Sequence, residues 1–144
     1  MFLELLDKIN TKKIILASSS PRRKLIFNDL GLKFEVIVSP FEEDHSKKTT
    51  MDQLSYITMN SEGKALAVVA EHPEADLVVG CDTVALLGDD ILEKPVDADD
   101  AKAILHRLSG QTHVITSVVC MVFPKIIVDG APLKITFHEQ SNVK

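Results

Sequence analysis

The densest chemical signal in the chain is Ala17-Ser18-Ser19-Ser20-Pro21-Arg22-Arg23, small hydroxyl residues followed by two guanidinium groups. The apolar run Lys13–Ala17 before it reads as a buried strand and the residues after it as a helix, so the hydroxyls sit at a strand-to-helix junction. Backbone N–H groups at a helix N-terminus attract phosphate oxygens. Small serines let such a ligand approach closely and add donors of their own. Two arginines in a first turn oppose the helix dipole; a bound polyanion reverses that penalty, and the guanidinium fork matches phosphate geometry. The plainer reading is a solvated basic turn with an ordinary N-cap at Ser20, and spacing alone leaves both open.

A second signal is Asp82, a single carboxylate inside the apolar run Val78-Val79-Gly80-Cys81-Asp82-Thr83-Val84-Ala85-Leu86-Leu87. An unpaired buried charge is costly. Asp82 therefore needs a metal, a lysine or backbone donors, unless it is a turn aspartate satisfied by nearby main-chain N–H groups. Glu42-Glu43-Asp44 supplies further carboxylates in a polar stretch. A hard cation such as Mg²⁺ binds through one or two carboxylates plus substrate phosphates, which Glu43 with Asp82 would provide; acidic loops are also commonly just solvated. Lys64 and Lys94, taken singly, read as surface lysines. The five histidines lack metal-ligand spacing, so none is expected to be a ligand, and His113 is expected to pack at a strand start. There is no Walker lysine motif or GxGxxG, and Ser18–Ser20 have no evident base for covalent catalysis.

The elements that must position these groups alternate between helix and strand. Phe2, Leu3, Leu5, Leu6 and Ile9 recur at helical spacing. Ser20-Pro21 opens a helix that stops at Gly31. Phe34–Val38 reads as a strand, residues 39–50 as a mobile polar loop, and Met51–Glu71 as a long helix. Gly63 weakens that helix by about 1 kcal/mol relative to alanine, which predicts a kink or two shorter pieces. Asp76–Leu87 is extended, Gly88-Asp89-Asp90 turns toward Ile91-Leu92, and a helix from Asp97 or Ala98 ends at Gly110. His113–Phe123 and Ile135–Glu139 flank a hairpin turn at Val128-Asp129-Gly130-Ala131. The fold class is α/β, a mixed twisted sheet flanked by helices.

Length and composition bound the rest. At 144 residues, 45% hydrophobic and 26% charged, residues 1–144 fit one globular domain and exclude collagen-like, low-complexity and coiled-coil classes. With 16 basic against 21 acidic residues and a net charge of −5, no general basic field invites a nucleic-acid polymer. No apolar run approaches the roughly 20 residues of a membrane helix, and Met1–Asp7 carries acids where a signal peptide carries cations. Cys81 and Cys120 lie far apart in apolar runs without a CxxC pair, which suits buried free thiols and a reducing cytoplasm.

Together these segments resemble the Maf family of house-cleaning nucleotide pyrophosphatases. The likeness rests on Leu16–Arg23, Val38-Ser39-Pro40-Phe41-Glu42-Glu43, Gly63-Lys64-Ala65, Val79-Gly80-Cys81-Asp82-Thr83-Val84, Glu93-Lys94-Pro95 and Arg107-Leu108-Ser109-Gly110-Gln111-Thr112-His113, in family order from Lys13 on. The Glu93-Lys94-Pro95 form and the lead-in helix are similar to the Maf-like domain of eukaryotic acetylserotonin methyltransferase-like proteins. The resemblance implies a Maf/inosine triphosphatase-like fold and hydrolysis of nucleoside triphosphates to monophosphate and pyrophosphate with a divalent cation, Mg²⁺ or Mn²⁺. Asp82 is then the proton acceptor; Ser18, Arg22, Arg23, Lys64 and Lys94 hold phosphates; Glu43 and Asp82 bind metal. Asp-Thr at Asp82-Thr83 goes with dTTP, UTP and modified pyrimidine nucleotides. Two departures stand out. Gly63 replaces a better helix former beside Lys64, and the family continues past the position of Lys144, where a Gly-Ile-Gln segment contributes to base selectivity. The second lobe is therefore expected to be truncated. A homodimer is compatible with the family. Two other readings compete: a non-catalytic nucleotide-binding module, and a structural fragment whose unfinished sheet edge pairs with another chain.

Overall fold

The computed structural model describes residues 2–144, with side chains from Glu4 onward. In chain order it comprises α1 (Phe2–Ile9), β1 (Ile14–Ala17), α2 (Pro21–Asp29), β2 (Glu35–Val36), a 3-10 turn (His45–Thr49), α3 (Gln53–Glu71), β3 (Leu77–Leu87), β4 (Asp90–Leu92), α4 (Ala98–Leu108), β5 (His113–Val128) and β6 (Ala131–Val143). The strands form one mixed sheet in the order β2-β1-β3-β5-β6, with β4 attached to β3. β1 pairs in parallel with β2 and β3, whereas β3–β5 and β5–β6 are antiparallel. The expected α/β class with a mixed sheet is the one observed. The expected lead-in helix is present as well, although its Phe2 and Leu3 side chains lie outside the described residues.

The core lies between this sheet and α3. All four residues of β1 are buried, as a central parallel strand requires. Asp52 caps α3 by accepting from the Ser55 N–H, and Tyr56, Ile57, Asn60, Ser61, Ala65 and Val68 recur at helical spacing on its buried face. Val78, Cys120 and Val122 of the sheet pack against Ala65 and Val68, while Val84 and Val118 pack against Tyr56 and Ile57. Both cysteines are buried and free, and burial pushes both thiols up.

α3 runs unbroken through Gly63, so the expected kink is absent. The glycine serves packing instead: a Cβ there would overlap the Phe41 ring. Gly80 on β3 does the same on the inner side, where a Cβ would strike the Ser61 carbonyl and lie 2.9 Å from Ala65. Other expectations shift too. The strand predicted over Phe34–Val38 shrinks to Glu35–Val36, and the loop 39–50 contains the 3-10 turn, whose first N–H groups are met by Asp44. Ser20 makes no side-chain cap. The Ser18 hydroxyl instead accepts from the Ser20 N–H at 3.1 Å. The hairpin is longer than expected, with the predicted turn at Asp129 (φ 51°) and Gly130 (φ 80°). Its register slips between Phe123 and Ile127, around Pro124, which has no N–H to give the ladder.

The sheet contains a gap that matters for everything below. β5 covers one edge of β3 from Val78 to Leu86. On the other edge β1 ends opposite Gly80, and β4 begins opposite Ala85. Cys81–Val84 therefore face an opening where one neighbour has ended and the next has not started. Asp82 and Thr83 lie in that opening.

Candidate active site

Strand alternation sends Asp82 and Thr83 to opposite faces of β3. Asp82 shares the α3 face with Gly80 and Val84, and there it meets Lys64, one turn from Asn60 and Ser61 on the buried side of the helix. Lys64 Nζ lies 2.8 Å from Asp82 Oδ1 and 2.6 Å from Glu43 Oε1. One ammonium thus bridges two carboxylates drawn from distant parts of the chain. Burial works against the Lys64 charge, but Asp82 and then Glu43 outweigh it and raise its pKa above the ordinary lysine value. Lys64 is therefore a firmly charged lysine. The sequence alternatives for Asp82 resolve in favour of a lysine partner.

On the other face, Thr83 Oγ1 lies 2.9 Å from Ser117 Oγ and accepts from Arg23 Nη2 at 3.1 Å. Arg23 Nη1 donates to Ser18 Oγ at 3.0 Å, and Ser18 is 7% exposed. The junction after β1 is thereby pinned to the far wall of the gap by one guanidinium. Arg22 behaves differently: it is exposed on α2 and lines none of the cavities at the gap. Of the two arginines, only Arg23 faces the same space as Asp82.

That space is an open cavity of about 390 Å³, within the usual range for small-molecule sites. Its charged lining comprises three carboxylates, Glu43, Asp82 and Glu93, and three cations, Arg23, Lys64 and Lys94. A smaller recess of about 80 Å³ adjoins it through Arg23, Lys64 and Lys94 and is floored by Ser18, Ser39 and Phe41. Ser39 Oγ donates to the Lys64 carbonyl at 2.8 Å and accepts from the Phe41 N–H at 3.2 Å, fixing the Phe41 ring over Gly63. Three cations around a recess floored by hydroxyls suit a polyphosphate. Because Lys64 fills the space between Glu43 and Asp82, the oxygens left facing a cation are Asp82 Oδ2 and Glu43 Oε2, the latter with only a long 3.5 Å contact from Asn60 Nδ2. Hard carboxylate oxygens beside a phosphate-sized recess fit a hard divalent ion.

Sequence reasoning passed over His45, Tyr56 and Glu93. Tyr56, fully buried, donates its hydroxyl to Glu93 Oε1 at 2.8 Å and lies 3.2 Å from His45 Nδ1. Burial, reinforced by Glu93 against an opposing contact from Asn60, pushes its phenol up to about 12. The sequence hints were the Glu43-x-His45 pair and the Glu93-Lys94-Pro95 motif; local spacing does not reveal a cluster assembled from two loops.

A mixed sheet with helices packed on it, in the strand order β2-β1-β3-β5-β6, defines the architecture. The solved nucleoside-triphosphatase / dITP/XTP pyrophosphatase of Mycobacterium abscessus shares it with a TM-score of 0.54 at 16% identity, over 90% of this chain and 72% of that one. The Ham1 protein of Staphylococcus aureus does so at 0.51 and 18%, over 91% and 70%. At such identities the likeness is one of fold. In sequence, residues 13–144 match the family described as Maf-like protein, and the chain belongs to the Maf family. A dTTP/UTP pyrophosphatase of Nitratidesulfovibrio vulgaris is 46% identical over 112 residues, 78% of this chain and 52% of that protein. A human protein, named as a probable bifunctional dTTP/UTP pyrophosphatase/methyltransferase, is 36% identical over 96% of this chain and 23% of its own length. The chain thus spans about half of the first of these relatives and a quarter of the second.

Proposed function

We propose that the chain binds nucleoside triphosphates in the gap between β1, β3 and β4 and hydrolyses them to monophosphate and pyrophosphate, with dTTP and UTP preferred. The observation that carries the reading is the Glu43–Lys64–Asp82 bridge in a cavity that also holds Arg23, Ser18 and Lys94. Relatives named dTTP/UTP pyrophosphatase support it. Lys64 holds Asp82 through Oδ1 at 2.8 Å, so that Oδ2 is left to accept a proton from a water in the cleft. The water oxygen forms a bond to the α-phosphorus, the α–β anhydride bond breaks, and pyrophosphate leaves with the electron pair. Arg23 and Lys94, with the Ser18 hydroxyl, hold the phosphates and offset the charge that develops on the leaving group. Arg22, outside the cavity, contributes at most to the field that attracts the anion. Glu43 and Asp82 would hold a Mg²⁺ or Mn²⁺ ion, which supplies positive charge between carboxylate and phosphate and lowers the pKa of bound water. The three lining acids and three lining bases cancel formally, so a triphosphate enters a site with no surplus positive charge. That balance is the reason to expect the cation.

Thr83 supports the pyrimidine preference through the Asp-Thr pair, and its link to Arg23 makes it part of the phosphate wall. The buried free cysteines support a reducing cytoplasmic setting. The test is pyrophosphate release from a panel of nucleotides with Mg²⁺ and Mn²⁺. Release from dTTP and UTP above the purine nucleotides is expected, and Asp82→Asn should abolish it while the chain stays folded by circular dichroism. Wild-type turnover in that variant would remove Asp82 from the chemistry. Nucleotide binding without release would instead favour a non-catalytic nucleotide-binding module.

A further inference from the structure

Glu43, His45 and Glu93 each place one ligand atom within 4.8 Å of the others. Glu43 and His45 come from the segment before α3, and Glu93 comes from the connection after β4. We propose that these three side chains form a divalent transition-metal site at the mouth of the cavity, one that shares Glu43 with the Glu43–Asp82 pair but does not use Asp82. It rests on the hydrolase reading only for its purpose, to bring positive charge to the phosphates; the binding stands by itself.

Four observations carry this. First, Lys64 joins Glu43 to Asp82 through Oε1 of Glu43, which leaves Oε2 for another partner. Second, Glu93 is already oriented as a ligand. Tyr56 donates to its Oε1, and its Oε2 faces His45 Nδ1 at 3.3 Å and Lys48 Nζ at 3.6 Å, a contact loose enough for an ion to displace. A buried hydroxyl holding a ligating carboxylate is the usual outer-shell arrangement of a metal centre. Third, Asn60 reaches into the cluster from α3. It is fully buried, its amide end lies 3.5 Å from Glu43 Oε2, and its Oδ1 has no hydrogen-bond partner. A fully buried amide with an unmet polar atom at the wall of the cluster is the kind of exception that an ion or its bound water at the site would account for. Fourth, His45 Nδ1 and Glu93 Oε2 are already 3.3 Å apart, and bonds of about 2.0–2.2 Å at tetrahedral angles set any two ligands about 3.5 Å apart, so closure of the cluster asks for movements of about 1 Å. Two of the three ligands sit on irregular segments that can make them.

The donor set chooses the ion. An imidazole nitrogen with carboxylates suits Mn²⁺, Co²⁺ or Zn²⁺ better than Mg²⁺, which prefers oxygen alone.

The test uses the full chain, freed of metal by a chelator and without nucleotide. Co²⁺ is titrated by calorimetry and visible absorption, with Mg²⁺ in parallel. One Co²⁺ per chain is expected, bound more tightly than Mg²⁺. His45→Ala and Glu93→Gln should each weaken it by ~10-fold or more, with melting temperatures in chelator near that of the parent, while Asp82→Asn keeps the ion. In the unsubstituted chain, substoichiometric Mn²⁺ should selectively broaden the His45 ring protons, a readout that does not depend on any variant folding. The site is overturned if Co²⁺ does not bind, if both variants bind like the parent, if only Asp82→Asn abolishes binding, or if Mn²⁺ broadening misses His45. A chain that binds Co²⁺ as expected yet releases no pyrophosphate would sink the hydrolase reading and leave this site standing.

Discussion

Lys64 holds its charge in a half-buried position because two carboxylates face it, and its removal would strand both. Lys64→Met should therefore abolish turnover and destabilise the chain by about 1–3 kcal/mol, the usual cost of leaving a buried polar group without its partner, as read by urea unfolding. The pH dependence has a definite sign. The Lys64 pKa is raised in the fold, so its contribution is complete below the ordinary lysine value of 10.5 and fades as pH rises through the higher folded value. Tyr56 adds to this: its phenol ionises at 10.0 when unfolded and at about 12 when folded, so the unfolded chain loses that proton first and stability falls between those two values. Urea midpoints measured upward from neutral pH should stay level and then drop above pH 10, with a smaller drop in Tyr56→Phe. The two arginines should separate as well. Arg23→Ala removes hydrogen bonds to Ser18 and Thr83 and should weaken pyrophosphate binding by ~10-fold or more, while Arg22→Ala should weaken it much less; equal losses would contradict the geometry.

Two glycines decide how α3 meets its neighbours. Gly80→Ala drives a methyl into the Ser61 carbonyl, a backbone atom that cannot step aside. It should cost about 1–3 kcal/mol as an overpacked core position, visible as a lower urea midpoint with an unchanged slope. Gly63→Ala is the more telling variant. In an exposed helix interior alanine gains about 1 kcal/mol over glycine. Here it must displace the Phe41 ring that floors the phosphate recess. Stability is expected to fall rather than rise, and pyrophosphate affinity to fall with it. Higher stability with unaltered affinity would show that Phe41 moves freely and does not shape the recess.

At the scale of the molecule, the cavity is walled by four segments distant in sequence: the turn after β1, the stretch before α3, β3, and the connection after β4. An anion bridging them stabilises the folded state alone. Pyrophosphate at 100 times its Kd should therefore add about 2.7 kcal/mol, seen as a rise in melting temperature that is lost in Arg23→Ala. β6 lies at the edge of the sheet, and its Ile135 and Phe137 are 44% and 48% exposed. Long exposed edges recruit strands, which is the specific observation behind the reading that this edge pairs with another chain, including a second copy. Sedimentation across a dilution series reads it directly: a strictly monomeric chain would set that reading aside.

Much of this was legible before folding. The apolar runs of β1, β3 and β5 and the turn at Asp129-Gly130 announce the α/β sheet, because strand burial and turn conformation are written in short-range pattern. Ser18, Arg23, Lys64, Asp82 and Lys94 were legible as a set because the family motifs name them in order. What the pattern does not contain is which groups face one another. Lys64 read as a surface lysine, yet it bridges Glu43 and Asp82. Gly63 read as a weak point in a helix, yet it seats Phe41. Arg22 and Arg23 are adjacent and chemically alike, and helical rotation alone separates them. Glu93 read as part of the Glu93-Lys94-Pro95 motif and His45 as one histidine among five, and nothing local showed that they meet at Tyr56. Short-range sequence determines where backbone hydrogen bonds and apolar faces can form. The encounter of side chains from the loop before α3, from α3 itself and from the connection after β4 depends on the strand order and on where β1 stops along β3, and those are properties of the assembled sheet.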